Sequence, residues 1–265
     1  MHKGFAKKSL GQNFLRDLDV IRGIIDEVAP QPGETIIEIG PGRGALTEPL
    51  VATGARIIAI ELDDNLSIQI RERFAGAANC NVVNDDALEA DLAQLITPAP
   101  TARVVANLPY NVSTAILQRL FQQPVITEMT LMLQREVVDR IMAGPGDPER
   151  GFLSVLVEAH SIAEPLFDVP PTAFKPVPKV WSSVVRLTTR NSIPPDLDEA
   201  KLMRLVGVGF QQRRKTILNN LKASPGHFAD PTAIQSKLES AGIEPTRRAQ
   251  TLTLDEWFVL TRTSS

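Results

Sequence analysis

The sequence predicts an α/β protein: an open, mostly parallel sheet of seven strands with helices on both faces, followed by a small all-α part. Two observations carry this. Five short apolar runs alternate with segments of helical periodicity through the first half of the chain, which implies right-handed crossovers and a parallel sheet. The β signal then stops at a Pro-containing stretch, TRNSIPPD (189–196), beyond which only helical patterns remain. The boundary is therefore expected there, with one domain over 1–192 and a helical one over 193–265.

Taken in order, the apolar positions Val20, Ile21, Ile24, Ile25 and Val28 recur at helical spacing from Asp17 and stop before Pro30. The run TIIEIG (35–40) reads as a buried strand, followed by a glycine-rich turn and a helix through Leu46, Leu50 and Val51. RIIAIEL (56–62) is the second strand, and Asp63 is placed to cap a helix reaching Phe74. NVVND (81–85) precedes a helical stretch around Leu88, Leu92 and Leu95, and RVVAN (103–107) leads through LPYN to a helix that Ser113 is expected to cap. MTLMLQ (129–134) is the fifth strand, followed by helices around 137–142 and 153–159. AEPLFDV (163–169) and SSVVRLTT (182–189), separated by a Pro-rich loop, read as a hairpin added at one sheet edge. Helices are expected over 198–222, 232–240 and 255–262.

Composition narrows the class. With 265 residues, 43% apolar and 22% charged, the chain is of ordinary globular make-up, and no run of about 18 apolar residues offers a membrane span. The N-terminus lacks the apolar core of a secretory signal, so a cytoplasmic location is expected. A single cysteine, Cys80, and three scattered histidines exclude a disulfide scaffold and a structural zinc site. The net charge of −3 hides an uneven distribution: residues 1–16 hold four cations and no acid, and 209–222 contain Arg213, Arg214, Lys215 and Lys222 without an acid. Basic ends around an acidic middle allow a local phosphate-binding surface, a solvated helix face being the plainer alternative.

The segment EIGPGRGALT (38–47) lies between strand and helix, where Gly40 and Gly42 let the backbone turn sharply and approach a ligand. Its G-x-G-x-G spacing differs from the G-x-G-x-x-G of dinucleotide enzymes. Glu61, closing the second strand, can accept hydrogen bonds from both hydroxyls of a ribose, and Asp86, after the third, can accept one from an adenine amine. Together they point to a nucleoside-bearing cofactor, which leaves a nicotinamide dinucleotide and S-adenosylmethionine both open.

Asn107-Leu108-Pro109-Tyr110 separates the two. An exocyclic adenine amine is a poor nucleophile, because its lone pair is drawn into the ring. An Asn oxygen and a backbone carbonyl that accept its two N–H bonds let the nitrogen pyramidalise. Pro109 stiffens the turn that holds the Leu108 carbonyl, and Tyr110 offers a face for a base taken out of its stack. Such catalysis is mainly alignment and electrostatic support of developing positive charge.

With these segments in view, the chain resembles the ribosomal RNA adenine N6,N6-dimethyltransferases, most closely the bacterial small-subunit branch. The likeness runs from KKSLGQNFL (7–15) through EIGPGRGALT, IELD (60–63), NDDAL (84–88), NLPYNVST (107–114), MLQREVVDRIMAGPG (132–146), VPPTAFKPVPKV (169–180) and FQQRRKTILNNL (210–221). It implies a Rossmann-like class I methyltransferase fold using S-adenosylmethionine and no metal. Asn13 and Leu15 would lie over the methionine end of the cofactor, Gly40 would line its cradle, and Asn107 would serve cofactor and target alike. Phe174, in a loop of five prolines and expected to be exposed, would sandwich the target adenine with Tyr110. Arg213, Arg214 and Lys215 would contact RNA phosphates. The implied reaction is dimethylation of two adjacent adenosines in the 3′-terminal hairpin of small-subunit rRNA, by a monomer acting within a pre-ribosomal 30S particle. Large-subunit rRNA methylation of the macrolide-resistance type, or an rRNA-binding assembly role with secondary catalysis, stand as alternatives. One departure is Trp181, where relatives often read KVDS.

Overall fold

In the computed structural model, residues 13–109, 112–224 and 233–263 are described. The chain forms two compact units: one runs through Val138 and takes in Glu164–Thr189, and the other comprises Asp139–Ala163 and the chain from Arg190.

The first unit is built on a seven-stranded sheet. Its strands are β2 (Thr35–Ile39), β3 (Arg56–Glu61), β4 (Cys80–Asn84), β5 (Ala102–Asn107), β6 (Ile126–Gln134), β7 (Ser161–Val169) and β9 (Ser182–Thr189), in the order β4-β3-β2-β5-β6-β9-β7. The first five are parallel and β9 runs antiparallel to β6, from Glu128↔Thr188 to Gln134↔Ser182. The added edge pair thus sits where the sequence places it. Every residue of β2 is buried, as expected of a strand covered on both faces. The order reverses at β2, whose neighbours are β3 on one side and β5 on the other, and such a reversal opens a crevice beyond the strands' carboxyl ends.

The flanking helices follow local signals. Helix α1 (Leu18–Val28) begins where the Asp17 carboxylate accepts the N–H groups of Asp19 and Val20, and it buries Ile24 and Val28. Helix α2 (Thr47–Ala52) follows the glycine turn. Asp63 caps α3 (Asp64–Arg73) by accepting from Asn65, and Asp91 caps α4 (Leu92–Ile96), which starts later than the apolar spacing from Leu88 indicates. Ser113 is the first residue of α5 (Ser113–Phe121) and not its cap; that position belongs to Val112, with no side-chain bond. A feature too short to read from periodicity is a separate two-stranded pair, β1 (Phe14–Leu15) with β8 (Phe174–Lys175).

The second unit corrects the expected domain boundary. The break near 189–196 is real for the chain's end, but 139–163 also belongs here. The reason is α7 (Phe152–His160), apolar almost all round, which places Val155 and Ala159 in a core with Leu202, Val206, Ile217, Leu238 and Trp257. Arg150, fully buried, pairs with Glu158 at 2.6 Å and donates to the Ala143 carbonyl. The remaining helices of this unit are α8 (Glu199–Gly209), α9 (Ile217–Lys222), α10 (Ile234–Ser240) and α11 (Leu254–Thr263); α6 (Arg135–Met142) begins in the first unit and ends in the second.

The single helix expected over 198–222 is therefore two. Gly207 and Gly209 weaken the end of α8, while Thr216 accepts from the Asn219 N–H and starts α9. The buried Asn220 side chain ties the turn between them, donating to the carbonyls of Gly209 and Gln212 and accepting the Gln212 N–H.

A Cβ on Gly209 would sit 2.5 Å from the Trp257 ring. Gly209→Ala is expected to lower the stability of this unit by about 1–3 kcal/mol through overpacking of a fixed aromatic, read as a lower midpoint in chemical denaturation. An unchanged midpoint would mean that the ring shifts freely.

Candidate functional site

The parallel strands β4, β3, β2 and β5 all end at one edge, and each delivers one group there. Asp86 follows β4, Glu61 closes β3, Gly40 follows β2 and Asn107 closes β5. A cavity of about 200 Å³ opens at this edge. It is lined by Asn13, Leu15, Gly40, Glu61, Asp86, Asn107, Leu108 and Pro109 among the expected residues, together with Phe14, Glu38, Arg43 and Leu62. Tyr110 and the basic residues Lys3, Lys7 and Lys8 lie outside the described residues.

The glycine turn is shaped by backbone demands. Gly40 has φ +67° and a Cβ there would meet open space, so the turn can approach a ligand closely. Gly42 has φ +59°, and a Cβ would press on the Phe14 ring at 3.2 Å. Its N–H donates to Glu61 Oε2 at 2.9 Å, while Asp63 N–H donates to Oε1 at 2.9 Å. Each carboxylate oxygen keeps further lone-pair capacity, and Glu61 lines the cavity. Burial pushes the Glu61 carboxyl above its ordinary range, and the backbone donors oppose that shift. Asp86 is half-buried, and its Oδ1 accepts the Leu88 N–H at 2.9 Å, which fixes the carboxylate at the start of the turn.

Asn107 has its amide orientation set by its partner. Nδ2 donates to the Asn13 carbonyl at 3.2 Å, and a carbonyl only accepts, so Oδ1 is the end that can receive another donor. The Leu108 N–H donates to the Met132 carbonyl on β6 at 3.2 Å, which fixes the Asn107–Leu108 peptide.

The segment crossing this edge is tied down at several points. Phe14 and Leu15 pair with Lys175 and Phe174, and the Arg16 N–H donates to the Ala173 carbonyl at 2.8 Å. The Arg43 guanidinium sits 4.5 Å from the centroid of the Phe14 ring, a cation–π contact. Phe14 and Arg43 were not singled out from sequence; the signal was the aromatic between Asn13 and Leu15, two residues that were.

Two expectations are corrected. Phe174 is not exposed: at 3% exposure it belongs to the core cluster of Leu15, Val169, Ala173 and Val184, and it does not line the cavity. Pairing of β8 with β1 turns the side chain inward despite the surrounding prolines. The basic block, expected on a helix, occupies the turn between α8 and α9. All three are exposed there, and Arg213 also donates to the carbonyls of Pro148 and Arg150. Among the described residues, no group of three or more His, Cys, Asp or Glu side chains is placed to hold a metal ion.

Glu38 was also missed. It is a carboxyl in the middle of an otherwise apolar buried strand, and that pattern was the available signal. Thr47 Oγ donates to it at 2.6 Å, and burial raises its pKa to about 8, with the nearby Glu61 charge adding to the rise. The folded chain thus binds this proton more tightly than the unfolded chain, so stability falls as pH rises from the ordinary 4.5 toward about 8. Glu38→Gln is expected to flatten that decline in thermal-unfolding scans across the same window. A variant whose midpoint falls as steeply as wild type would assign the slope to other groups.

The fold is shared with solved structures, and the sequence has relatives over nearly its whole length. Residues 4–260 match the ribosomal RNA adenine dimethylase family. A protein of Methylococcus capsulatus named ribosomal RNA small subunit methyltransferase A is 45% identical over 97% of this chain and 96% of that relative. A Pseudomonas aeruginosa protein of the same name is 43% identical over 94% and 91%. Among solved structures, a dimethyladenosine transferase from Plasmodium falciparum superposes with a TM-score of 0.75 at 23% identity, covering 93% of this chain and 95% of that one. The 23S rRNA methyltransferase ErmE superposes with a TM-score of 0.66 at 26% identity, covering 95% and 99%. A match over nearly the whole length, with both glycine turn and Asn-Leu-Pro segment at the cavity, makes this chain a member of the ribosomal RNA adenine dimethylase family, S-adenosylmethionine-dependent methyltransferases.

Proposed function

We propose that this enzyme transfers two methyl groups to N6 of each of two adjacent adenosines in the 3′-terminal hairpin loop of small-subunit rRNA. The proposal includes its setting, a pre-ribosomal 30S particle in the cytoplasm, and its action as a monomer. The observation that supports it most is the linear order along the sheet edge: Asp86, Glu61, Gly40, Asn107. That order matches adenine, ribose and sulfonium-bearing chain of a bound S-adenosylmethionine, followed by the place of the methyl acceptor.

The residues present suit this cofactor. Asp86 would accept from the adenine amine, Glu61 from the ribose hydroxyls, and the Gly40 turn would leave room for the remainder, with Asn13 and Leu15 over its methionine end. When bound, the cofactor supplies an electrophilic methyl carried on sulfur. The chain's own task is to hold the acceptor. Asn107 Oδ1 and the Leu108 carbonyl take the two N–H bonds of the target adenine, which frees its nitrogen lone pair from the ring. No strong general base is required, because the methylated ammonium is acidic. Loop adenosines suit this site, as unstacking them costs little.

Large-subunit rRNA is the other substrate weighed, on the likeness to ErmE. The relatives at 40–45% identity named for the small subunit favour the present reading. Incubating the protein with each unmethylated subunit and labelled cofactor tests it, and label entering only the large subunit would reverse the assignment.

Asn107→Ala is expected to cut methylation by about two to three orders of magnitude, with subunit binding retained, read by mass spectrometry of the rRNA. Surviving dimethyladenosine would remove Asn107 from the site. For the second unit, replacing Arg214 and Lys215 by Ala should weaken RNA binding and lower the log–log salt slope by about 0.7–0.9 per residue, with cofactor affinity unchanged. An unaltered slope would make that turn merely solvated.

A further inference from the structure

The Pro-rich loop between β8 and β9 carries an exposed aromatic that the reaction above does not use. Trp181 is 48% exposed, and beside it in sequence Val177 and Val180 are 62% and 41% exposed. Lys175, the last residue of β8, and Lys179 in the loop are exposed, and no acid occurs from Val169 to Pro195. The acid just before that stretch, Asp168, is engaged: Oδ2 lies 3.3 Å from Arg135 Nη1, and Oδ1 accepts the Ser183 hydroxyl.

The sheet fixes where this indole stands. The Trp181 carbonyl accepts the Arg135 N–H at 3.0 Å, extending the β6–β9 ladder one step past Gln134↔Ser182. Asn107 lies opposite Met132 on the other side of β6. Trp181 is therefore two strands across and three residues along from Asn107, a backbone separation of about 14 Å at ordinary strand spacing and rise. A few nucleotides of single-stranded RNA span that distance.

We propose that Trp181, framed by Val177 and Val180 and flanked by Lys175 and Lys179, is a stacking platform for an unpaired base of the substrate RNA next to the methylated adenosines. The inference rests on the rRNA reading above and deepens it. Aromatic faces with neighbouring cations are the common means of holding single-stranded nucleic acid, since every base has a π-face and every linkage a charge. The acid-free lysine flank complements a phosphate backbone, and continuity with the target-amine acceptors makes RNA the occupant.

The test uses the full-length protein, small subunits lacking the two modified adenosines, and a short RNA of the 3′-terminal hairpin. Trp181→Ala should raise KM for the subunits about five- to tenfold with kcat and S-adenosylmethionine affinity unchanged, and Trp181→Phe should stay within about twofold of wild type. The hairpin RNA should also quench indole fluorescence. The chain has two tryptophans, and Trp257 is fully buried, so this quenching should vanish in Trp181→Phe. A Trp181→Ala enzyme with wild-type KM, or quenching that persists in Trp181→Phe, would overturn the platform. A raised KM with no quenching by RNA alone would overturn it too, by assigning the surface to a ribosomal protein. Wild-type protein that methylates no small subunit would instead sink the rRNA reading on which the inference stands.

Discussion

The constraint on which the site depends is that four parallel strands terminate at one edge, with the order reversing at β2. Parallel pairing forces each connection to return over a face of the sheet, so every loop at the carboxyl edge is free to carry a functional group. The reversal keeps the loops after β2 and β5 from crossing over one another and leaves a crevice between them. Asp86, Glu61, Gly40 and Asn107 come from four distant parts of the sequence, yet they occupy successive places along one line.

Within that crevice the backbone does much of the positioning. Glu61 receives the N–H groups of Gly42 and Asp63, so the glycine turn and the acid hold each other in place. Asn107 is oriented by the Asn13 carbonyl, which couples the amide to the segment covering the cavity. That segment is in turn fixed by the β1–β8 pair and by Arg43 over Phe14. These contacts fix the groups that line the cavity before any ligand enters it. Glu38 shows the other face of such burial: its carboxyl holds its proton into the neutral range because water is excluded from the strand that carries it.

The second unit is organised by different means. Its core centres on Trp257, and a buried asparagine, Asn220, supplies the hydrogen bonds that a continuous helix would have supplied between α8 and α9. The resulting turn exposes Arg213, Arg214 and Lys215 alike, and Arg213 also donates to backbone carbonyls. Among three adjacent exposed cations, Arg213 is thus tied to the protein's own backbone, a distinction that charge counting does not make.

Apolar periodicity and turn chemistry determined the strands and most helices in their order along the chain, and the acids at strand ends marked Glu61 and Asp86 at the cavity, because those signals are local: alternate runs, caps such as Asp17 and Asp63, and glycines in tight turns. The tertiary structure alone decided the rest. Phe174 looked exposed among prolines and is buried, because its neighbours in space come from β1, far away in the chain. The segment 139–163 looked like part of the sheet domain, yet α7 completes the core of the helical unit, since an element apolar on all sides takes whichever core surrounds it. Phe14 against Gly42 and Arg43 escaped notice because a two-residue strand has no period to detect. Local chemistry dictates what each segment can form; which partner it meets depends on long-range packing, and no single stretch of sequence encodes that.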